Sequence, residues 1–257
     1  MVGFLLFSCS EEDTKETDWE NNKLNGKFKS ITEIKYDAVE KFGEFQKGSL
    51  GHKLISKYDK SGNLTEWTKY RSNESIDSKS ISKYDDNGNR TAEATYKSDG
   101  SLKSEAVHKY DEIGNQKESA YYNYDHDFLG SKSIYKYDTS GNQTEERYML
   151  SDGSLIDKSI CKYDESGNVI ECATYNSDDT LSSKSTYKYD KSGNVSEETY
   201  YTSYDPFNYV PFNKHNKYTY KYEYNSKGQW IKKITFKVRN VVSQAEVIIE
   251  REIEYYD

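Results

Sequence analysis

The sequence predicts an all-β repeat protein: a long, twisted antiparallel meander sheet of β-hairpins with atypical terminal caps. Three observations carry that prediction. The phrase Lys83-Tyr84-Asp85-Asp86-Asn87-Gly88-Asn89 recurs along the chain, with Tyr58, Tyr84, Tyr110, Tyr137, Tyr163 and Tyr189 spaced by 26 residues, stretched once to 27. A fixed period of this size marks a repeat architecture. Each period carries two turn signals, one ending at Gly62, Gly88, Gly114, Gly141, Gly167 or Gly193 and the other of the Ser98-Asp99-Gly100 type. Composition is the third: only 33% of the 257 residues are hydrophobic and 26 are tyrosines. Aliphatic side chains are too scarce for a thick core, whereas a tyrosine can pack its ring and keep its hydroxyl wet, which suits a structure one sheet deep.

Residues 1–9 are apolar up to Leu6-Phe7-Ser8-Cys9. They resemble a bacterial lipoprotein signal, in which Cys9 would become the lipid-carrying first residue, although the stretch is short and has no positive start. Residues 10–25 are charged, mostly acidic and without apolar period, and read as a solvated tether. Ser10-Glu11-Glu12-Asp13 resembles the acidic export signal of surface lipoproteins of the Bacteroidetes type. The β-repeat domain is expected over 26–257. Residues 26–50 form a diverged first unit, as expected of a cap with no outer neighbour. Residues 51–203 hold the repeats, and 204–257 hold an aromatic loop with Pro206 and Pro211 followed by the most apolar strands, a C-terminal cap.

Within a repeat, Asp85-Asp86-Asn87-Gly88-Asn89 fits a three-residue hairpin loop, a type I turn followed by a left-handed glycine. Two such loops per period leave about ten residues per strand, roughly 33 Å. Carrying the pairing straight down from the loop sets Tyr163 against Val169, Cys161 against Glu171 and Ile160 against Cys172. One face then collects Leu155, Tyr163, Val169, Ala173 and Tyr175; Cys161 and Cys172 fall on opposite faces, so free thiols are expected. In all, about fifteen strands are expected in a curled sheet, roughly 70 Å along the stacking direction.

Tyr135-Lys136-Tyr137-Asp138-Thr139-Ser140-Gly141-Asn142, and its copy from Tyr187 to Asn194, resemble the YD repeats of the RHS family. The resemblance covers about 50–230 and implies spiralling β-hairpin shells of the kind found in bacterial toxins and surface proteins. Those shells are far longer than this chain, wrap a cavity and carry a toxin domain. The closer resemblance, to short repeat lipoproteins of Bacteroidetes, implies location and no activity.

Signatures of catalysis are missing. His52, His108, His126 and His215 are dispersed, and no nucleophile elbow, zinc-binding helix motif or phosphate-binding loop occurs. No enzyme, cofactor or metal is expected: Asp and Asn in the turns are explained by hydrogen bonds to their own backbone, and the EF-hand spacing is absent. A net charge of −8 argues against nucleic acid as the partner. The basic run from Lys214 to Arg239 is expected to pair with Glu246, Glu250, Glu252 and Glu254 through Lys232, Lys233 and Lys237.

The candidate binding loop comprises Tyr204, Phe207, Tyr209 and Phe212, with His126 and Phe128 from another irregular connection on the same edge. Insertions gathered on one side of a repeat array often mark its binding side; the other reading is that these aromatics fold back to thicken the core. The function expected is a non-catalytic, lipid-anchored outer-membrane or cell-surface protein. It would act as a protein-binding scaffold, an accessory to an outer-membrane complex. The alternatives are a glycan-binding module using tyrosine platforms and a degenerate RHS-type shell fragment linked to a toxin system.

Overall fold

The computed structural model describes residues 18, 26–124, 128–204, 211–239 and 242–257, without the side chains of 128–129, 204 and 211–214. The described residues form sixteen strands in a single up-and-down meander. The chain begins with the long pair β1 (Phe28–Lys41) and β2 (Glu44–Tyr58). Short strands follow: β3 (Leu64–Arg71), β4 (Ile76–Tyr84), β5 (Arg90–Lys97), β6 (Leu102–Tyr110), β7 (Gln116–Asn123), β8 (Phe128–Tyr137), β9 (Gln143–Leu150), β10 (Leu155–Tyr163), β11 (Val169–Asn176), β12 (Leu181–Tyr189) and β13 (Val195–Tyr204). β14 (Pro211–Tyr224), β15 (Trp230–Arg239) and β16 (Val242–Tyr255) complete the sheet.

The meander goes further than a curled sheet. β1 pairs antiparallel with β16, from Ser30 opposite Glu254 to Asp37 opposite Val247, and the sheet closes into a barrel. Closure removes the two exposed edges that an open meander would carry.

The Gly–Asn turns repeat one geometry. The Gly88 N–H donates to the Asp85 carbonyl at 3.0 Å and the Asp85 N–H to the Asn89 carbonyl at 2.9 Å. Gly88 takes φ 76°, which a side chain resists. The Asp85 carboxylate accepts the Asn87 and Asn89 N–H groups at 3.0 and 2.8 Å and the Asn89 side-chain amide at 2.8 Å. These aspartates are thus engaged by their own turns, and the Asn142 amide holds the Asp138 carboxyl below its ordinary range.

Immediately after each turn the register shifts. Tyr163 pairs with Val169 but Lys162 pairs with Glu171, so Ile170 is an extra, bulged residue. The same shift follows Tyr58, Tyr84, Tyr110, Tyr137 and Tyr189. A bulge reverses which face every later side chain occupies. The expected pairing of Cys161 with Glu171 is therefore corrected: Cys161 lies directly opposite Cys172, with Cα atoms 4.2 Å apart, and the two form a disulfide. For the same reason Ala173 leaves the Tyr163 face, and Trp230 sits on the face opposite Ile234, Phe236 and Val238.

With the bulges in place the faces separate cleanly. The outer face carries charge ladders: Lys57–Glu66–Lys79, Lys109–Glu118–Lys132, Lys162–Glu171–Lys184 and Lys188–Glu197–Lys217, each contact between 2.6 and 3.0 Å. The expected pairing of the last strand is corrected in detail. Glu250 meets Lys47, Glu254 meets Lys29, Glu246 meets Arg239, and Lys232 meets Glu223.

Candidate functional site

The inner face is built on the repeated tyrosines. The Tyr84 hydroxyl donates to the Leu64 carbonyl at 2.7 Å, Tyr110 to Arg90 at 2.8 Å, Tyr137 to Gln116 at 3.0 Å, Tyr163 to Gln143 and Tyr189 to Val169 at 2.7 Å. Each tyrosine thus reaches the first residue after the preceding repeat's turn and ties neighbouring hairpins along one rim. Crowding by the barrel wall pushes the Tyr58 and Tyr110 hydroxyls up to about 12, through desolvation, whereas Lys109 on the outer face stays 70% exposed.

Two residues before each tyrosine the repeats stop agreeing. The cross-strand pair at this level of the lumen is Ser82–Glu93, then His108–Ser119, Tyr135–Glu146, Cys161–Cys172 and Tyr187–Glu198. These side chains form a polar belt. His108 Nδ1 and Ser119 Oγ lie 2.8 Å apart, Gln116 donates to Ser119, and the Tyr135 hydroxyl donates to Ser119 Oγ at 3.2 Å. Burial pushes the His108 pKa down, so its imidazole is neutral near pH 7. Its Nε2 is buried without a partner among the described residues.

One step along the belt, Glu93 accepts from the Trp67 indole at 3.1 Å, Ser80 at 2.6 Å and Arg90 at 3.3 Å. Arg90 also reaches Asp18, a residue from the stretch expected to be a solvated tether. The Asp18 carboxylate accepts from Arg90 Nη2 at 3.2 Å and the Leu64 N–H at 2.8 Å, and lies 2.8 Å from the Tyr84 hydroxyl, whose one proton it shares with the Leu64 carbonyl.

Two clefts open from the belt. One, about 510 Å³, has Glu93, Thr95, Ser104, Tyr121, Ser131 and Tyr148 in its wall and reaches Asn123 and Gly130, which flank the β7–β8 connection. The other, about 460 Å³, lies at the Gly–Asn rim against Asp18, Tyr84, Arg90, His108, Tyr110 and Gln116. Within the belt, the His108 imidazole lies between the Ser119 hydroxyl and the Gln116 side-chain amide, 2.8 and 3.2 Å from its Nδ1.

Of the residues expected in a binding loop, His126, Phe207 and Tyr209 lie outside the described residues, as does Cys9. Phe128 opens β8, Tyr204 ends β13 and Phe212 lies near the start of β14, so these strand ends lie at the rim opposite the Gly–Asn turns. The clefts and the Asp18–Arg90 contact did not emerge from the repeat pattern, because they depend on where the repeats differ and on a residue outside them.

No protein-family model matches the chain, and no curated protein matches it in sequence. Its fold is similar to that of a porin-like protein from Bacteroides uniformis, at 12% identity and a TM-score of 0.56, covering 88% of this chain and 96% of that one. The Photorhabdus luminescens Tc holotoxin pore matches with a TM-score of 0.32 and 12% identity over 83% of this chain and 14% of that one. A DUF1329 family protein from Desulfovibrio piger matches with a TM-score of 0.26 and 8% identity over 89% and 86%. The first likeness shows a shared β-barrel fold.

Proposed function

We propose that this chain is an exported, non-catalytic binding barrel of the YD-repeat lipoprotein type, anchored at the outer membrane through Cys9, that takes sugars into its tyrosine-lined lumen. The observation that carries the reading is the lumenal belt. The Tyr and Gly positions that build the hairpins are constant, whereas the pair two residues along varies among Ser–Glu, His–Ser, Tyr–Glu and Cys–Cys, and two of its members, Glu93 and His108, line the clefts of about 510 and 460 Å³. Tyrosine rings with hydroxyls and amides between them suit ligands that present both apolar faces and hydroxyl groups. The Cys161–Cys172 disulfide supports an oxidising compartment, outside the cytoplasm.

The outer face argues that the barrel stands beside the membrane and does not span it. No helix of the described residues is long and apolar enough to cross. As for the strands, a lysine held against lipid at the bilayer midplane costs about 2–4 kcal/mol. Lys132 and Lys184 project from the middle of β8 and β12 on the outer face.

Titrating the full chain with a panel of neutral and acidic sugars, read by tryptophan fluorescence, tests the reading. Binding that Tyr148→Ala or Tyr121→Ala weakens supports it; silence across the panel overturns it. A second reading, a scaffold for a protein partner, is favoured by one observation: Ile81, Val107 and Ile160 occupy equivalent outer positions and remain 37–39% exposed. Copurification from native membranes that is lost in an Ile81→Ser/Val107→Ser/Ile160→Ser chain would support that reading instead.

A further inference from the structure

The Asp18 contacts describe a site as well as a tether. Its carboxylate oxygens take a guanidinium N–H and a backbone N–H, at 3.2 and 2.8 Å, and share the single Tyr84 hydroxyl proton, 2.8 Å away, with the Leu64 carbonyl; these groups stand 46 to 72 residues away in sequence. These donors are already arranged by the barrel. Arg90 is fixed by Glu93 at 3.3 Å and by the Tyr84 hydroxyl at 3.2 Å. Tyr84 is fixed by the Leu64 carbonyl at 2.7 Å. Charge-assisted hydrogen bonds of this kind are the strong ones, and Arg is the residue best matched to a carboxylate. The site opens onto the cleft of about 460 Å³, walled by Tyr110 and His108. There the buried, unpartnered His108 Nε2 is a polar atom that a ligand hydroxyl would satisfy.

We propose that the Gly–Asn rim of the lumen is a binding site for the carboxylate of an acidic sugar, and that Asp18 occupies it from within the same chain until such a ligand displaces it. The carboxylate would replace that of Asp18 on Arg90, Tyr84 and the Leu64 N–H. The sugar ring would lie along Tyr110 towards His108 and Gln116. The assignment of the ring rests on the sugar-binding reading above; the assignment of the acid rests on the Asp18 geometry alone.

The test compares glucuronate, glucose and acetate as probes against the full chain and three variants, by calorimetry and by Trp67 fluorescence. Trp67 reports on the site through its hydrogen bond to Glu93. Asp18→Ala should bind glucuronate about tenfold more tightly than the unaltered chain, the factor expected if the tethered carboxylate leaves the site vacant about a tenth of the time. Arg90→Gln should abolish binding and Arg90→Lys should weaken it, with melting temperatures checked so that loss of fold is not read as loss of site. Glucuronate should also speed proteolysis of the N-terminal segment in the unaltered chain. Failure of Asp18→Ala to gain glucuronate binding overturns the proposal, and acetate binding as tightly as glucuronate overturns the sugar assignment. Neutral-sugar binding that Tyr148→Ala removes would leave the broader lumenal reading standing, so the two failures are separable.

Discussion

Among the described residues, the largest fully buried side chains in the repeats from β3 to β13 are small and hydroxylated, namely Ser80, Ser119 and Ser133; across the closing strands they are Phe28 and Ile248. The repeats hold each other through backbone ladders, tyrosine-to-carbonyl bonds and Lys–Glu contacts, all of which copy from one hairpin to the next. The closing strands have no copy to lean on. There Phe28 and Ile31 pack with Tyr58, and Leu64, Ile253, Tyr255 and Tyr256 pack around them. Phe45 meets Phe236 edge-on at 5.1 Å, and Arg251 stacks 3.3 Å over Trp230 while donating to Glu33 at 2.7 Å. A repeat can therefore propagate on polar contacts, but joining first strand to last is secured by apolar burial. The join must also offset the entropy of bringing distant segments together.

That contrast predicts a steep difference between equivalent-looking isoleucines. Ile248→Ala should cost about 2–5 kcal/mol, as for other large-to-small changes in a packed core. Ile160→Ala, on the exposed outer face of a repeat, should cost about 1 kcal/mol or less. Chemical denaturation of both variants measures the gap, and equal costs would remove the distinction. Reducing the Cys161–Cys172 disulfide, or replacing both residues with serine, should cost about 3 kcal/mol, since it closes a loop of 11 residues inside one hairpin.

Arg251→Gln should come next, at about 2 kcal/mol. Arg251 and Glu33 are only 17% and 29% exposed, which places the pair between surface and buried limits. Tyr137→Phe removes one hydroxyl from the rim ladder and should cost about 1 kcal/mol, with the same loss expected for Tyr163→Phe because the geometry repeats.

The smallest effect is one of pH. Hydrogen bonds from Lys132 and Lys109 to Glu118, and from Lys184 and Lys162 to Glu171, hold both carboxyls below the ordinary Glu range. A depressed carboxylate contributes stability that is present above the unfolded-chain value, about 4.3, and is lost as pH falls through the folded value. Melting temperatures of Glu118→Gln and Glu171→Gln should therefore differ from the unaltered chain at pH 6 and converge on it at the acid end.

Much of the fold could be read in the sequence because the repeats restate it. Tyr84, Gly88 and their copies fix the hairpin, and the meander follows. Closure could not be read, since the pairing of Ile34 with Glu250 is a tertiary fact that no local pattern encodes. The bulge was legible in principle. Lys57 and Glu66, Lys109 and Glu118, Lys136 and Glu145, Lys162 and Glu171, and Lys188 and Glu197 all stand nine residues apart, and each pair is joined across its hairpin. A register chosen to bring these opposite charges together includes the extra residue and places Cys161 against Cys172. The Asp18 site had no such signal, because a single carboxylate in an acidic stretch looks like any other until the barrel presents Arg90 to it.

Closure is the claim on which the lumen and both of its clefts depend. Amide hydrogen exchange resolved along β1 and β16 tests it most directly. If the barrel is closed, the N–H groups on both sides of β1 and β16 are protected to the same degree as those of β9 and β10. Fast exchange at every second amide of β1 and β16, as in the free edges of an open sheet, would contradict it.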